Sequence, residues 1–73
     1  MSGLTLREEV LSARGALRRL KGFQIPHRLP SRRRQLLIPM GKHKRTKMIC
    51  RITRVQDDGS YRRARFRFVY EKR

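Results

Sequence analysis

The sequence predicts an α+β fold: one N-terminal helix packed on a small antiparallel sheet of about three strands, which ends in a C-terminal β-hairpin. Three observations predict it. Apolar residues recur at helical spacing through residues 5–22. Residues 48–70 alternate apolar and polar around an Asp-Asp-Gly sequence. All three prolines lie in the basic segment between these regions. With 73 residues, the chain forms a single small domain with a thin core.

The helix is predicted over residues 5–22. Thr5 and Glu8 have the spacing of a capping box, and Gly22 is a natural stop. The apolar stripe consists of Leu6, Val10, Ala13, Leu17 and Leu20. We expect this stripe to pack on the sheet, and the alternative is a helix-in-groove contact with a partner protein.

A basic extended loop is predicted over residues 23–34, because Pro26 and Pro30 forbid a helix there. A short strand follows over residues 35–40. Pro39 belongs at a sheet edge or a strand end, since it has no N–H to donate. Residues 41–47 are predicted to form a basic turn.

The hairpin is predicted over residues 48–70. A three-residue loop, Asp57-Asp58-Gly59, suits a type I turn followed by a left-handed residue. In that register Ile52 lies opposite Ala64, Cys50 opposite Phe66, and Met48 opposite Phe68. One face is then apolar throughout, and a slip of one residue would destroy both faces.

The other face of the hairpin carries arginines. The predicted register places Arg51 directly opposite Arg65, with Arg63 and Arg67 two residues to either side. Like charges opposite each other destabilise a sheet, and no acid is expected on this face. The arrangement favours an anion platform for nucleic acid, and an acidic protein surface or a solvated face are the alternatives. Since Phe66 and Phe68 point to the inner face, contact with phosphates or RNA shape is favoured over base stacking.

Net charge is the dominant property of the sequence. Twenty-one Lys and Arg against five acids leave +16, and sixteen of the cations are arginine. Such a charge predicts a polyanionic partner, usually a nucleic acid, with RNA favoured over DNA.

The predicted contacts to nucleic acid or an acidic surface are Arg51, Arg63, Arg65, Arg67, Arg32, Arg33, Arg34, Lys42, Lys44 and Arg45. The predicted partner-docking residues are Leu36, Leu37, Ile38 and Met40. The arginine run 32–34 also fits a solvated loop.

The sequence indicates a binding protein and not an enzyme. His27 and His43 are isolated in basic loops, and Cys50 is the only cysteine, so no recognised zinc site, disulfide or cofactor site is predicted. The few acids read as helix-start and turn residues, which leaves no carboxylate pair for acid–base chemistry. No apolar run is long enough to span a bilayer, and we expect no membrane partner. The single thiol and the absence of a secretory signal favour a reducing cytoplasm, and we expect a monomer.

The chain resembles the small transcription regulators of lytic phages of xanthomonads. The resemblance covers its length, its arginine-rich composition, the opening "MSGLTLREEV" and the basic C-terminal hairpin. It implies a protein of the host cytoplasm that docks on the β′ amino-terminal region of bacterial RNA polymerase, near the RNA exit channel. It also implies inhibition of initiation at host promoters by displacement of σ, and read-through of intrinsic terminators. No contact residue is transferred by motif.

Two other classes fit the same sequence. Ribosomal or other structural RNA-binding proteins also have small cores and proline-broken basic loops. A small architectural DNA-binding protein is the third possibility, distinguished by duplex bending and a steep salt dependence.

Overall fold

The structure is a computed structural model that describes residues 4–26, 28–40, 45–55 and 63–72. The elements, in chain order, are β1 (Thr5–Ser12), α1 (Ala13–Gly22), β2 (Arg34–Met40), β3 (Thr46–Val55) and β4 (Arg65–Lys72). The strands form one antiparallel sheet in the order β1-β4-β3-β2, and α1 packs on one face of it. The α+β prediction is confirmed, with four strands instead of about three.

The first half of the predicted helix is a strand, so the prediction of a helix from Thr5 was wrong. β1 pairs with β4, with Glu9 opposite Phe68 and Leu11 opposite Phe66. Pairing with β4 along the whole of β1 outweighs the helical spacing of its apolar residues. The helix begins after Ser12, whose Oγ accepts a hydrogen bond from the Gly15 N–H at 3.2 Å. Ser12 is therefore the N-cap, and no capping box forms at Thr5.

The helix ends at Gly22, as predicted, and a Schellman motif follows it. The Ile25 N–H donates to the Leu20 carbonyl at 3.0 Å, and the Gln24 N–H donates to the Lys21 carbonyl at 2.8 Å. Gln24 has a φ of 60°, which is the left-handed conformation that glycine adopts without strain. Gly22 is the last helical residue, and Gln24 occupies the position that commonly holds glycine.

The core lies between α1 and the inner face of the sheet, defined as the face that α1 covers. The fully buried side chains Cys50, Ile52, Phe66 and Phe68 come from the two central strands. The helix contributes Ala13, Ala16 and Leu20, and further buried residues are Leu29, Ile38, Ala64 and Tyr70. Of the predicted helical stripe, Leu6, Val10 and Leu17 are exposed. Small alanines on the inward side of α1 leave room for the large aromatic side chains of β4.

The β3–β4 pairing differs from the predicted register by four positions. Ile52 lies opposite Phe68 and Cys50 opposite Tyr70, not opposite Ala64 and Phe66. Since four is an even number, each side chain keeps its predicted face. The last described pair of this ladder is Val55 with Arg65. Asp57, Asp58 and Gly59 themselves lie outside the described residues.

The predicted short strand and extended loop are present, whereas the predicted basic turn is shortened by β3. The strand predicted over residues 35–40 is present as β2, an edge strand, and Pro39 lies next to its last residue, as expected. The described residues from 23 to 33 form neither helix nor strand, and Arg34 already belongs to β2. Of the predicted basic turn, residues 41–44 are outside the described ranges, and Thr46 and Lys47 belong to β3.

Candidate nucleic-acid interface and docking surfaces

The face of the sheet opposite α1, here called the open face, carries Arg51, Arg65 and Arg67 as predicted. Strand alternation places them there, on the side away from buried Phe66 and Phe68. Arg63 is exposed and lies just before β4. The inward position of Phe66 and Phe68 agrees with the expectation that they do not form a base-stacking surface.

The open face contains carboxylates, so the predicted acid-free arginine platform was wrong. The Arg51 guanidinium contacts the Glu71 carboxylate, and Glu71 is only 8% exposed. Arg67 Nε lies 3.0 Å from Glu8 Oε1. Arg51 lies opposite Val69 and not opposite Arg65. The prediction failed because the four-position shift brings Glu71 beside Arg51, and because Glu8 was assigned to a helix.

A second ion-pair cluster, centred on Glu9, joins three elements on the inner side of the sheet. Arg19 of α1 contacts both carboxylate oxygens, with Nη1–Oε1 and Nη2–Oε2 distances of 3.0 and 3.1 Å. The Tyr70 hydroxyl of β4 donates to Oε1 at 2.7 Å. Arg7 lies 3.5 Å from the same oxygen, and its guanidinium carbon lies 4.8 Å from the Tyr70 ring centre. Glu9 therefore fixes α1 to β1 and β4 and is a structural residue.

Burial raises the pKa values of two weakly acidic side chains, Tyr70 and Cys50. Burial and the hydrogen bond to Glu9 raise the pKa of Tyr70 to about 12. Burial also raises the pKa of the Cys50 thiol to about 11. A thiol held in its neutral form is a poor nucleophile, and Cys50 is fully buried, as its predicted apolar position implied.

Exposed arginines collect at one end of the sheet. Two strands, β1 and β3, end there, and β2, β4 and α1 begin there. The pairing shows this, because Arg65 at the start of β4 lies between Val55 and Ser12. Arg34 at the start of β2 pairs with Ile52, near the end of β3. We define the arginine end as its exposed members, Arg14, Arg32, Arg33, Arg63 and Arg65. Half-buried Arg34 and Arg54 lie at the same end.

The carboxylates of the described residues are all engaged away from the arginine end. Glu8, Glu9 and Glu71 contact Arg67, Arg19 and Arg51, respectively. Asp57 and Asp58 belong to the stretch that the structure does not describe. Arg14 was not among the predicted contacts, because a helix starting at Thr5 placed it in mid-helix. Only the chain reversal at Ser12 brings it to the start of α1, beside the ends of the strands.

The other predicted contact residues are separated from this cluster. Arg45 is exposed just before β3, at the opposite end of the sheet, and Lys42 and Lys44 lie outside the described residues. Strand alternation divides the predicted partner-docking residues of β2 between the two faces of the sheet. Ile38 is buried in the core and is not available to a partner, whereas Leu36 packs against the core and is half-buried. Leu37 is 46% exposed on the open face, and Met40 ends β2.

Leu37 belongs to a partly apolar open face. Ile49 pairs with Leu37 and is half-buried, as is Val69 on the neighbouring strand. Val10 of β1 pairs with Arg67 and is 47% exposed. The sequence did not indicate that Val10 lies at the surface, because its spacing from Leu6 and Ala13 fits the buried stripe of a helix.

Among the described residues, no three His, Cys, Asp or Glu side chains are grouped so that they could hold a metal ion. None of the described helices has the length and apolar character required to cross a membrane. No protein-family model, curated protein or solved structure matches the chain.

Proposed function

We propose that the protein is a non-enzymatic transcription regulator of the lytic-phage type that binds bacterial RNA polymerase. It acts in the host cytoplasm, inhibits initiation at host promoters and promotes antitermination near the RNA exit channel. The observation that carries the proposed binding function is the arginine end, where the exposed residues Arg14, Arg32, Arg33 and Arg65 lie away from the carboxylates of the described residues. The choice of polymerase, and of its β′ amino-terminal region, rests on the resemblance in length, charge and organisation.

The arginine end supports contact with nascent RNA. Arginine presents planar donors that match phosphate oxygens, and each phosphate that it neutralises releases a counterion. Arg14, Arg32, Arg33 and Arg65 are exposed, and no ion pair ties them to another described residue. A cationic surface beside the exit channel would compete with closure of a terminator hairpin for the RNA backbone.

The open face supports docking on protein. Its two central arginines are already paired with Glu71 and Glu8, so a partner need not supply carboxylates for them. Leu37 and Val10 add exposed apolar area on either side. Protein–protein interfaces commonly contain apolar side chains and charges that are paired with a neighbouring residue. Binding to a phosphate backbone instead favours cations that are not paired with a carboxylate.

The direct test uses purified bacterial RNA polymerase. We expect stoichiometric binding to the core enzyme, reduced initiation at promoters that require σ, and increased read-through of an intrinsic terminator. Leu37→Asp should reduce polymerase binding, while the exposed control substitution Lys72→Gln, with the same change of net charge, should not. Failure of the polymerase to retain the protein, with RNA bound freely, would refute the polymerase assignment.

A ribosomal or other structural RNA-binding protein is the alternative that the arginine end also supports. Stoichiometric co-sedimentation with a ribosomal subunit at high salt would favour it over a polymerase regulator. Bending of duplex DNA with a steep salt dependence would instead favour an architectural DNA-binding protein.

A further inference from the structure

An apolar groove lies between α1 and the segment that follows it. Its volume is about 680 Å³, and it is lined by Leu17, Lys21, Gln24, Ile25, Pro26 and Arg28. The apolar part consists of aliphatic side chains, of which Leu17 is 41% exposed and Ile25 is half-buried. Ligand sites commonly have volumes of about 300–1,000 Å³, so the groove is large enough to take several side chains.

Backbone features hold the groove open. The Schellman motif turns the chain sharply at Gln24 and directs Ile25 back along the helix. Pro26 restricts the chain to an extended course, and Leu29 anchors the segment in the core. The groove is therefore formed before any ligand arrives, which lowers the entropic cost of binding.

The edge of the groove is cationic. Lys21 and Arg28 are both exposed, and Arg18 lies one helical turn before Lys21 on the exposed side of α1. The described carboxylates Glu8, Glu9 and Glu71 are engaged by arginines elsewhere. The groove thus combines an aliphatic floor with cations that the described carboxylates do not neutralise.

We infer that this groove binds an acidic amphipathic segment of a partner protein. The apolar side chains of the segment contact Leu17, Ile25 and Pro26, and its carboxylates pair with Lys21 and Arg28. Nucleic acid fits less well, because the aliphatic lining provides no aromatic ring on which a base could stack. A second copy of this chain is disfavoured by the repulsion between two molecules that each carry +16. The groove is separate from the open face, so the inference goes beyond the proposed docking on RNA polymerase.

The test uses a synthetic probe, so it is independent of the polymerase. Isotope-labelled protein is titrated with a peptide of about 15 residues in which leucines recur at helical spacing among glutamates. A peptide of the same composition in scrambled order and a short oligouridylate serve as comparison ligands. We expect amide shifts confined to the region from Leu17 to Arg28, and about tenfold tighter binding of the amphipathic peptide than of the scrambled one.

Variants identify the groups responsible. Lys21→Glu with Arg28→Glu should weaken peptide binding about tenfold or more, which corresponds to about 1.4 kcal/mol. Leu17→Ser should weaken it without a change of net charge. The matched control, Arg32→Glu with Arg33→Glu, has the same charge change away from the groove and should have less than about a threefold effect. Amide dispersion and thermal midpoint show whether each variant is folded.

Three outcomes would overturn the inference. Equal affinity for the scrambled peptide would show that only net charge matters. An equal effect of the Arg32 and Arg33 control would place binding elsewhere. Oligouridylate that shifts the Leu17–Arg28 amides as strongly as the peptide would make the groove a nucleic-acid surface.

Discussion

The two central arginines of the open face, Arg51 and Arg67, differ from the arginines at the arginine end in what surrounds them, although all belong to one short and strongly basic chain. Arg51 and Arg67 each contact a carboxylate, and Arg51 is half-buried. Arg32, Arg33 and Arg65 are exposed, and the described carboxylates lie elsewhere. The first pair is part of the structure of the sheet, whereas the second group is available to a ligand.

The difference shows that arginine density alone does not locate a binding surface. Alternation in the sequence correctly placed Arg65 and Arg67 on one face. It did not show which of the two would contact a carboxylate, because the contact depends on pairing with a strand that is distant in the sequence. Glu8 and Arg67 are 59 positions apart in the sequence, yet they lie 3.0 Å apart in the sheet.

The largest expected effect is the loss of polyanion binding when the arginine end is neutralised. Arg14, Arg32, Arg33 and Arg65 are replaced together by Gln, and binding to oligouridylate is measured against salt concentration. If each arginine contacts one phosphate, the log–log slope should flatten by about 3, since each single-strand contact contributes about 0.7. Affinity near 0.1 M salt should then fall by about 10³-fold, because a slope lower by about 3 acts over the decade of salt concentration below 1 M.

The matched control replaces the paired residues Arg51 and Arg67 by Gln. We expect the log–log salt slope to change by less than about 0.7, which is the contribution of one phosphate contact, because carboxylates already compensate these charges. If the control flattens the slope as much as the fourfold variant does, the distinction between the two regions is wrong.

The next largest effect concerns the stability of the paired region. Glu71→Gln leaves the half-buried Arg51 guanidinium without its carboxylate and should lower the free energy of unfolding by about 2 kcal/mol. Glu8→Gln removes the carboxylate of a pair whose side chains are 48% and 52% exposed, and should cost less than about 0.5 kcal/mol. Urea denaturation of both variants measures the difference, and equal losses would contradict it.

High pH should destabilise the fold through Tyr70 and Cys50. Their ordinary pKa values of 10.0 and 9.0 are raised to about 12 and about 11 in the folded state. The folded state therefore keeps protons that the unfolded state releases, so stability is lost as pH rises from about 9 through 12. Each group contributes a slope of up to about 1.4 kcal/mol per pH unit within its own interval.

Tyr70→Phe tests this assignment, because it removes one of the two titrating groups. Denaturation midpoints between pH 9 and 11.5 should fall less steeply in this variant than in the parent chain. An unchanged slope above pH 10 would show that Tyr70 does not keep its proton in the folded state.

The smallest expected effect comes from the turn that supports both α1 and the groove. Gln24→Gly should stabilise the protein by about 1 kcal/mol, because glycine adopts the left-handed conformation without the cost borne by other residues. Gln24→Ala keeps that cost and should give no gain. Thermal unfolding measures both, and the salt slope of polyanion binding should stay as in the parent chain.

The sequence was sufficient for the fold class, β2 and the inner and outer faces of the hairpin. Pro39 indicated an edge strand because it lacks an N–H, and β2 is an edge strand. Side-chain alternation has a period of two, so the faces of Phe66 and Phe68 were correct even though their partners were not.

The failures have one physical origin, which is pairing between distant strands. The stretch from Thr5 to Ser12 has apolar spacings that fit a helix, and its identity as a strand depends on β4. The same dependence concealed the pairing of Glu71 with Arg51, since the register could not be read from the turn residues alone. The arginine end was missed because it is assembled from the ends of several elements.

The position of β4 has a consequence for folding. β4 follows the other described strands in the sequence, yet it lies between β1 and β3, and the Lys72 N–H donates to the Leu4 carbonyl at 3.2 Å. During synthesis β1 therefore has no hydrogen-bonding partner until some sixty further residues have been added. Contacts of such long sequence separation slow folding. Until β4 has been made, Leu6 and Val10 therefore lie in a segment that lacks its native strand partner.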